Sequence, residues 1–409
     1  MRDTKNSQII NIISKKIIGT EFENRTFLVG GYVRDFLLGN NLYDIDIVVA
    51  IPNGGAKLAN LLYRNRLCSK PAIYKKFGTA RIEIKSVAVE FVMTRKECYR
   101  DRDRKPDVIF GSLVEDAFRR DFTMNALYMN INNREIEDIT GLGIEDIKQK
   151  VIRATSDGDI IFKEDPLRIL RAVRFAGKLD FNIEPITKEA IIRWKSSLEH
   201  ISIERIKDEF VRMVLEKGTY KSIKICFDFG LMKYIFPLLE NDKEIVLKQI
   251  KKIHLVEAKL ERRLALLFSH TSGNSDVIGN IVKLTIGKKT AKNVANIVRC
   301  YQELKVLDID DSLKFNTFVV SNILYLEEAI KLHKHFNTAS RFEVRISQQT
   351  LLYEKNPYTL NGRKIMEFFD LKEGSLIGYY SDLAKDIWRD NPLLTEIEIL
   401  EKLKIKAIT

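Results

Sequence analysis

The chain has 409 residues, 45% of them hydrophobic, which is enough apolar sequence for a substantial core and, by length, for about two to four domains. This composition excludes a disordered chain. The 68 Lys and Arg residues exceed the 56 Asp and Glu residues, and the net charge of +12 favours a polyanionic partner such as nucleic acid or a membrane surface.

The cysteines and the apolar segments narrow the setting in which the protein works. Its four cysteines are far apart and form no C-x-x-C pair, which argues against a zinc site or a disulfide framework. No apolar stretch reaches the ~18 residues that a membrane span needs, and residues 1–15 lack the apolar core of a secretory signal. We therefore expect a cytoplasmic protein that does not enter a membrane.

The first 150 residues alternate short helical and strand-like patterns. Apolar residues at helical spacing predict helices at 8–18 and 32–38. Apolar or alternating runs predict strands at 26–29, 43–50, 79–84, 87–93 and 127–131. This part is expected to contain a small mixed sheet.

The rest of the chain is predicted to be helical, without a strand beyond about residue 155. The predicted helices are 165–179, 186–194, 203–216, 243–268, 275–304, 317–335, 362–369, 376–386 and 396–408. The fold class is therefore α+β, with a sheet-containing domain at 1–150 followed by helical domains at 151–217 and 218–409.

Two carboxylates stand on one predicted strand. Asp44 and Asp46 are two residues apart, so both side chains point to one face, about 6.6 Å apart along the strand. Their neighbours are apolar, which predicts a central strand where paired carboxylates need cations nearby. Glu90, the single charged residue of the run 87–93, would supply a third carboxylate; exposed strand positions are the alternative.

Such hard oxygen ligands bind Mg²⁺, which predicts metal-assisted phosphoryl transfer with Asp44 and Asp46 as metal ligands. Ahead of them, Gly30-Gly31 would let the backbone approach a triphosphate, and Arg34 in the next helical turn would reach the same phosphates. All five histidines follow residue 150, so the first domain has no histidine for a general base.

Four motifs occur in order at residues 28–35 with 44–46, 119–126, 164–175 and 204–209. Together they resemble the class II tRNA nucleotidyltransferase and bacterial poly(A) polymerase family, within the DNA polymerase β superfamily. The resemblance implies a nucleotidyltransferase head, a nucleotide-selecting neck and an RNA-binding body and tail for the three domains. It also implies that Arg120 binds the triphosphate, that Asp121 meets the sugar, and that Asn125 belongs to the same nucleotide-binding motif.

Asp165 and Arg168 are three residues apart on a predicted helix and therefore share one face. Their acceptors and donors can mimic a Watson–Crick partner for one base edge. The resemblance implies that they select CTP and then ATP. Arg168, Arg171 and Arg174 recur every three residues as a basic stripe that would hold phosphates, with a solvated helical face as the alternative.

Two further segments fit the family pattern. The mixed-charge stretch 95–106 is predicted to be a loop, which in the resembling enzymes helps the switch from C to A addition; a solvated connection is the alternative. Its matching residues are Tyr99, Asp101, Arg104 and Pro106. Residues 360–378 resemble the tail segment that presents backbone N–H groups and Lys372 to tRNA phosphates, with a plain packing hairpin as the alternative.

The sequence thus predicts an enzyme that adds C, C and A to the 3′ end of tRNA from CTP and ATP, with Mg²⁺ and no nucleic-acid template. A CC-adding, A-adding or poly(A) enzyme of the same family is the alternative. A non-catalytic RNA-binding relative is disfavoured because the carboxylates are present, and a small-molecule nucleotidyltransferase would not need Asp165 and Arg168. The sequence does not indicate an oligomeric state.

Overall fold

Seven strands of the N-terminal part pair into one mixed sheet. The computed structural model describes residues 5–42, 44–74, 78–98, 107–271, 273–308, 310–336, 342–371 and 374–406. Within those ranges the strands are β1 (Thr26–Val29), β2 (Ile45–Val49), β3 (Ala72–Tyr74), β4 (Thr79–Ile84), β5 (Val87–Met93), β6 (Arg95–Cys98), β7 (Asp107–Phe110), β8 (Leu127–Asn130), β9 (Ile136–Asp138), β10 (Val151–Ile152) and β11 (Asn182–Ile183). The sheet order is β3-β4-β5-β2-β1-β8-β9, while β6 pairs with β7 and β10 with β11.

The centre of this sheet is made by β1 and β2. Every residue of β1 is buried, and so is every residue of β2 except the part-buried Asp46. β1 runs antiparallel to β2 and β8, whereas β2 runs parallel to β5. The prediction of a central strand that carries a carboxylate is therefore confirmed.

The first part of the chain also contains eleven described helices. They are α1 (Lys5–Ile17), α2 (Gly31–Leu37), α3 (Gly54–Arg64), α4 (Leu113–Phe118), α5 (Gly143–Gln149), α6 (Gly158–Glu164), α7 (Leu167–Leu179), α8 (Pro185–Trp194), α9 (Ile203–Leu215), α10 (Thr219–Asp228) and α11 (Met232–Ile235). Helices α7 and α10 approach closely at two glycines. A Cβ atom on Gly218 would lie 1.9 Å from the carbonyl oxygen of Gly177, and Gly218 has a φ of +76°. Neither residue leaves room for a side chain.

The second part of the chain is helical in all its regular elements within the described ranges. Its helices are α12 (Lys243–Ile250), α13 (Leu260–Leu267), α14 (Asn274–Lys283), α15 (Lys288–Val306), α16 (Ser312–Asn322), α17 (Leu326–Phe336), α18 (Phe342–Lys355), α19 (Gly362–Phe369), α20 (Ser375–Asp390) and α21 (Glu396–Lys406). None of the helices in the described parts of the chain is long and apolar enough to cross a membrane.

The chain divides into two units. Met1–Met213 with Lys217–Tyr234 form one, and Val214–Glu216 with Ile235–Thr409 form the other. The predicted domains 1–150 and 151–217 therefore lie, apart from residues 214–216, in a single unit. The two predicted domain borders stay predictions.

Several predicted helices were too long. The prediction 243–268 is wrong because α12 and α13 are separate helices, and 317–335 is wrong because α16 ends at Asn322 before α17 begins at Leu326. The prediction 275–304 is wrong because Thr285 adopts a φ of +54° between α14 and α15, which no α-helix tolerates. Apolar spacing continues across these breaks and so conceals them. The short strand β11 also contradicts the expectation of no strand beyond about residue 155.

Candidate active site

The sheet brings two of the predicted carboxylates together. Asp46 on β2 lies opposite Glu90 on the parallel strand β5. Residues paired in this register project to the same face of a sheet, so both carboxylates share that face. Asp44 immediately precedes β2 and is exposed, as is Glu90, whereas Asp46 is part-buried.

The electrostatic setting of Asp46 indicates a deficit of positive charge. Burial and then the nearby carboxylates of Glu90 and Asp44 raise its pKa from 3.8 to about 6, although Arg120 acts in the opposite direction. A divalent cation would relieve this repulsion, so the donor set fits the predicted metal. Within the described ranges no group of three or more His, Cys, Asp or Glu side chains is a complete metal-binding set. Asp44, Asp46 and Glu90 are therefore neighbours that do not form such a set in this structure.

A small cavity of about 270 Å³ lies beside these carboxylates. Acidic side chains and three arginines share its wall. The lining residues are Val29, Asp46, Thr79, Glu90, Val92, Arg95, Arg119 and Arg120. Carboxylates suit a cation and guanidinium groups suit phosphate oxygens, so the cavity can bind a metal and an anion side by side.

Two of these arginines share one buried carboxylate. Asp116, which is 0% exposed, accepts hydrogen bonds through Oδ1 from Arg119 Nη2 at 2.5 Å and through Oδ2 from Arg120 Nη2 at 2.9 Å. Tyr128 donates its hydroxyl to the same Oδ2 at 2.7 Å. Burial raises the pKa of Asp116, but Arg120 and Arg119 outweigh burial and hold the pKa at about 2. Asp116 is therefore ionised and fixes both guanidinium groups.

Asp116 was not among the residues predicted from the sequence. Its signal is the spacing: it lies on helix α4, three residues before Arg119 and four before Arg120, which is the distance over which helical side chains meet. Thr79 and Arg95 also line the cavity without having been predicted. No local pattern marked them, because they come from β4 and β6 and reach the cavity only through the fold.

The predicted phosphate-binding turn lies between β1 and α2. Gly30 has φ +62° and ψ −129°, a conformation that glycine adopts far more readily than other residues. Arg34 is buried and contacts Asp35 through Nε at 3.0 Å and Nη2 at 2.9 Å, while its Nη1 donates to Asn125 Oδ1 at 2.8 Å. In this structure the Arg34 side chain therefore binds Asp35 and Asn125. A phosphate contact by Gly30, Gly31 or Arg34 stays a prediction.

The predicted sugar-contacting residue is held from several sides. Asp121 accepts hydrogen bonds from Arg171 Nη2 at 2.6 Å and from Asn125 Nδ2 at 3.0 Å. Burial raises the pKa of Asp121, but Arg171 and the hydrogen bonds bring it below its usual value. Asp121, Asn125 and Arg34 therefore form one continuous network.

The two predicted base-reading residues contact each other only through the backbone, where the Arg168 N–H donates to the Asp165 carbonyl oxygen at 3.0 Å, and their side chains have different partners. Asp165 Oδ2 accepts a hydrogen bond from Arg205 Nη2 at 2.8 Å. Arg168 donates to the carbonyl oxygen of Arg119 at 2.6 Å and to Glu164 Oε2 at 3.2 Å. Both residues therefore have protein partners at the groups that would read a base.

The basic stripe is compensated by carboxylates. Arg171 contacts Asp121, and Arg174 Nε donates to Glu209 Oε2 at 2.6 Å. Arg34, Arg171 and Arg174 also lie 5.1, 5.4 and 4.3 Å from the ring centroid of Phe175. Phosphate binding by the stripe stays a prediction. Tyr99, Asp101, Arg104, Pro106 and Lys372 lie outside the described residues.

Two family models match parts of this chain. The model of the "Poly A polymerase head domain" matches residues 26–153, and that of the "Probable RNA and SrmB- binding site of polymerase A" matches residues 180–243. The CCA-adding enzyme of Lactococcus lactis is 31% identical over 94% of this chain and 93% of its own length. The tRNA nucleotidyltransferase cca2 of Schizosaccharomyces pombe is 32% identical over 63% of this chain. The chain spans 56% and 53% of the two Schizosaccharomyces pombe relatives that it matches.

Solved structures share the fold. The Bacillus stearothermophilus CCA-adding enzyme in complex with CTP has a TM-score of 0.75 and 22% identity, covering 99% of this chain and 98% of that chain. The Thermotoga maritima CCA-adding enzyme complexed with tRNA has a TM-score of 0.66 and 22% identity, covering 98% and 96%. With a mixed sheet followed by helices and a relative that matches almost end to end, this chain belongs to the CCA-adding enzyme family of tRNA nucleotidyltransferases.

Proposed function

We propose that this protein adds C, C and A to the 3′ end of tRNA from CTP and ATP, without a nucleic-acid template. The observation that carries the proposal is the pairing of Asp46 with Glu90 beside a cavity whose wall also contains Arg120. Carboxylates and guanidinium groups in one small cavity are what a nucleoside triphosphate with its counter-cation requires. The near-complete match to a CCA-adding enzyme supports tRNA as the acceptor.

In this proposal Asp44 and Asp46 are metal ligands, and Glu90 is the third catalytic carboxylate. The raised pKa of Asp46 supports a cation here, because neighbouring negative charges contribute to the shift. Bound Mg²⁺ would activate the attacking 3′ hydroxyl and steady the leaving pyrophosphate. Arg120 would hold the triphosphate, with the backbone at Gly30 and Gly31 approaching the same phosphates.

Nucleotide choice would lie with Asp165 and Arg168, and sugar contact with Asp121 and Asn125. In the structure Arg205 holds Oδ2 of Asp165 at 2.8 Å, and this contact would fix the orientation in which the carboxylate accepts from an incoming base. Arg168 would exchange Glu164 or a backbone carbonyl for the base edge. Arg171 and Arg174 are proposed phosphate contacts that would keep their carboxylate partners, Asp121 and Glu209.

The test is extension of a tRNA that lacks its last three nucleotides, with CTP alone, ATP alone or both. We expect two additions with CTP alone and a third only when ATP is also present. A long A tract with ATP alone would indicate a poly(A) enzyme. Two additions without a third, even with ATP present, would indicate a CC-adding enzyme. Addition only to a tRNA that already ends in CC would indicate an A-adding enzyme.

Asp44→Ala tests the metal site in the same assay. It should abolish every addition by removing a metal ligand, while the circular dichroism spectrum stays that of the unaltered protein. Normal turnover by this variant would contradict the assignment of the carboxylates. The cytoplasmic location expected from the sequence stays a prediction.

A further inference from the structure

One buried carboxylate connects both cavity arginines to the core of the head. Oδ1 of Asp116 accepts from Arg119 Nε at 3.0 Å and Nη2 at 2.5 Å, and also from the backbone N–H of Arg95 at 3.1 Å. Oδ2 accepts from Arg120 Nε at 3.2 Å and Nη2 at 2.9 Å. Each oxygen thus serves a different guanidinium group.

A second residue ties Arg120 to the same anchor. The Tyr128 hydroxyl donates to Asp116 Oδ2 at 2.7 Å and accepts from Arg120 Nε at 3.0 Å. The Arg120 guanidinium also lies 5.1 Å from the centroid of the Tyr128 ring. Tyr128 is itself fixed, since it is fully buried in β8 and packs edge-on against Phe27. The orientation of Arg120 is therefore determined from the protein interior.

This arrangement solves an electrostatic problem. Two guanidinium groups that both line a cavity of about 270 Å³ repel each other unless an anion lies between them. Asp116 supplies that anion from below the cavity wall, where no water competes for it, since it is 0% exposed. Arg119 and Arg120 both line the cavity in this arrangement.

We propose that Asp116 is a positioning residue that orients Arg119 and Arg120 to receive the triphosphate of the incoming nucleotide. The inference rests on the proposed function of Arg120 as a triphosphate-binding residue. Asp116 does not touch the nucleotide. Asp116 instead fixes the orientation of the two guanidinium groups before the nucleotide binds. Its loss should therefore weaken the part of the binding affinity that comes from the triphosphate, and leave recognition of the nucleoside unchanged.

The experiment compares the Kd of CTP with the Kd of CMP, in Mg²⁺ and without tRNA so that no transfer occurs. In Asp116→Asn, whichever oxygen becomes an amide, one guanidinium group loses its Asp116 acceptor and faces a donor there. We expect the Kd of CTP to rise about tenfold, and that of CMP to stay within about twofold, because charge-assisted hydrogen bonds are lost only at the triphosphate. Tyr128→Phe keeps the ring and should give a smaller change in the same direction.

Asp146→Asn is the matched control. Asp146 is equally buried in the head and binds Arg153 at 3.0 Å and Thr123 at 2.6 Å, but it does not line the cavity. Its replacement should lower stability and leave the ratio of the two Kd values unchanged. Equal weakening of CTP and CMP in Asp116→Asn, or an unchanged Kd for CTP, would overturn the inference.

One further variant, Arg120→Ala, separates a failure of the proposed function from a failure of the inference. Arg120→Ala should lose most of the difference between CTP and CMP; if it does not, the proposed function of Arg120 fails. If Arg120→Ala loses the difference and a folded Asp116→Asn keeps it, only the inference about Asp116 fails. Should Asp116→Asn not fold, Tyr128→Phe decides, and an unchanged ratio in that variant counts against the inference.

Discussion

Asp46 and Glu90 occupy paired positions on two parallel strands, so two carboxylates project from neighbouring backbones to one face of the sheet. The pair lies in a sheet whose centre is otherwise apolar. Such a concentration of negative charge opposes folding unless a cation compensates it. We therefore expect the negative charge of Asp46 to lower the stability of the metal-free protein and to be required for catalysis.

The first prediction concerns pH and Asp46→Asn in the absence of metal. Burial, Glu90 and Asp44 raise the pKa of Asp46 from 3.8 to about 6. Because Asp46 binds its proton more tightly in the folded chain than in the unfolded chain, protonation of Asp46 stabilises the fold. This stabilisation is fully present below about pH 4 and is lost as the pH rises through about 6. In EDTA the free energy of unfolding should fall over this window by up to ~3 kcal/mol more in the unaltered protein than in Asp46→Asn.

Urea unfolding at a series of pH values measures this difference. Parallel pH profiles for the two proteins would contradict it. In the nucleotide-addition assay Asp46→Asn should lose activity by on the order of 10³-fold, because a metal ligand has lost its charge.

The second prediction concerns nucleotide choice and Arg205. Arg205 holds Oδ2 of Asp165 by a 2.8 Å hydrogen bond, so Arg205→Gln should leave the carboxylate fixed only by the Leu167 backbone N–H, which donates to Oδ1 at 3.2 Å. The preference for CTP over ATP at the first position should then change by about 2- to 10-fold, since a positioning contact of ~1 kcal/mol is lost. Competition between labelled CTP and ATP in single-addition assays measures the preference.

Arg193→Gln is the control for Arg205→Gln. Arg193 is also an exposed arginine paired with an aspartate, Asp159, in the same unit, but it is not in the proposed site. It should leave the preference unchanged. An identical effect of both variants would show that the change at Arg205 is not specific to Asp165.

The third prediction concerns the glycine contact between α7 and α10. Gly218→Ala would place a Cβ atom 1.9 Å from the carbonyl oxygen of Gly177, at a φ of +76°. Backbone must move to accommodate it, so the free energy of unfolding should fall by about 3 kcal/mol or more. Gly279→Ala in α14 meets nothing within 4 Å and should instead raise it by ~0.5–1 kcal/mol. Denaturant titration of both variants checks this, and similar values for the two would contradict it.

The fourth prediction concerns the ion pair between Arg174 and Glu209, both of which are 4% exposed. Glu209→Gln removes the carboxylate that contacts Arg174 at 2.6 Å, and should lower the free energy of unfolding by about 3 kcal/mol because a buried charge loses its counter-ion. The exposed pair of Glu367 with Arg363 offers the comparison, since Glu367→Gln should change it by less than ~0.5 kcal/mol. Equal losses of stability in Glu209→Gln and Glu367→Gln, measured by thermal denaturation, would contradict the prediction that burial makes the first ion pair more important for stability.

The sequence predicted those features whose signal is local. Strands 26–29, 79–84 and 87–93 have the observed bounds because apolar residues mark them directly. Helix breaks were missed where the backbone turns without interrupting the apolar spacing, as at Thr285. Helices α10 and α18 were not predicted as helices either.

At the site, residue types were informative and partners were not. The pattern at Asp44 and Asp46 predicted a carboxylate cluster, but the pairing of Asp46 with Glu90 depends on sheet register, which is a long-range property. Similarly, the spacing of Arg168, Arg171 and Arg174 predicted a basic stripe that would hold phosphates, but not its protein partners. Their carboxylate partners Glu164, Asp121 and Glu209 come from other helices or from positions outside the stripe, and only the fold assembles them.

The parallel pairing of β2 with β5 has a consequence for how this family can vary. The segment that joins the two strands includes α3, β3 and β4, and residues inserted in its loops would not alter the register of β2 against β5. A slip of one residue between β2 and β5, by contrast, would turn Glu90 to the opposite face while leaving the hydrogen-bonded ladder intact. The position of the two carboxylates therefore depends on the register between β2 and β5. Insertions in the loops between the strands would preserve that register, whereas a single residue inserted within either strand would change it.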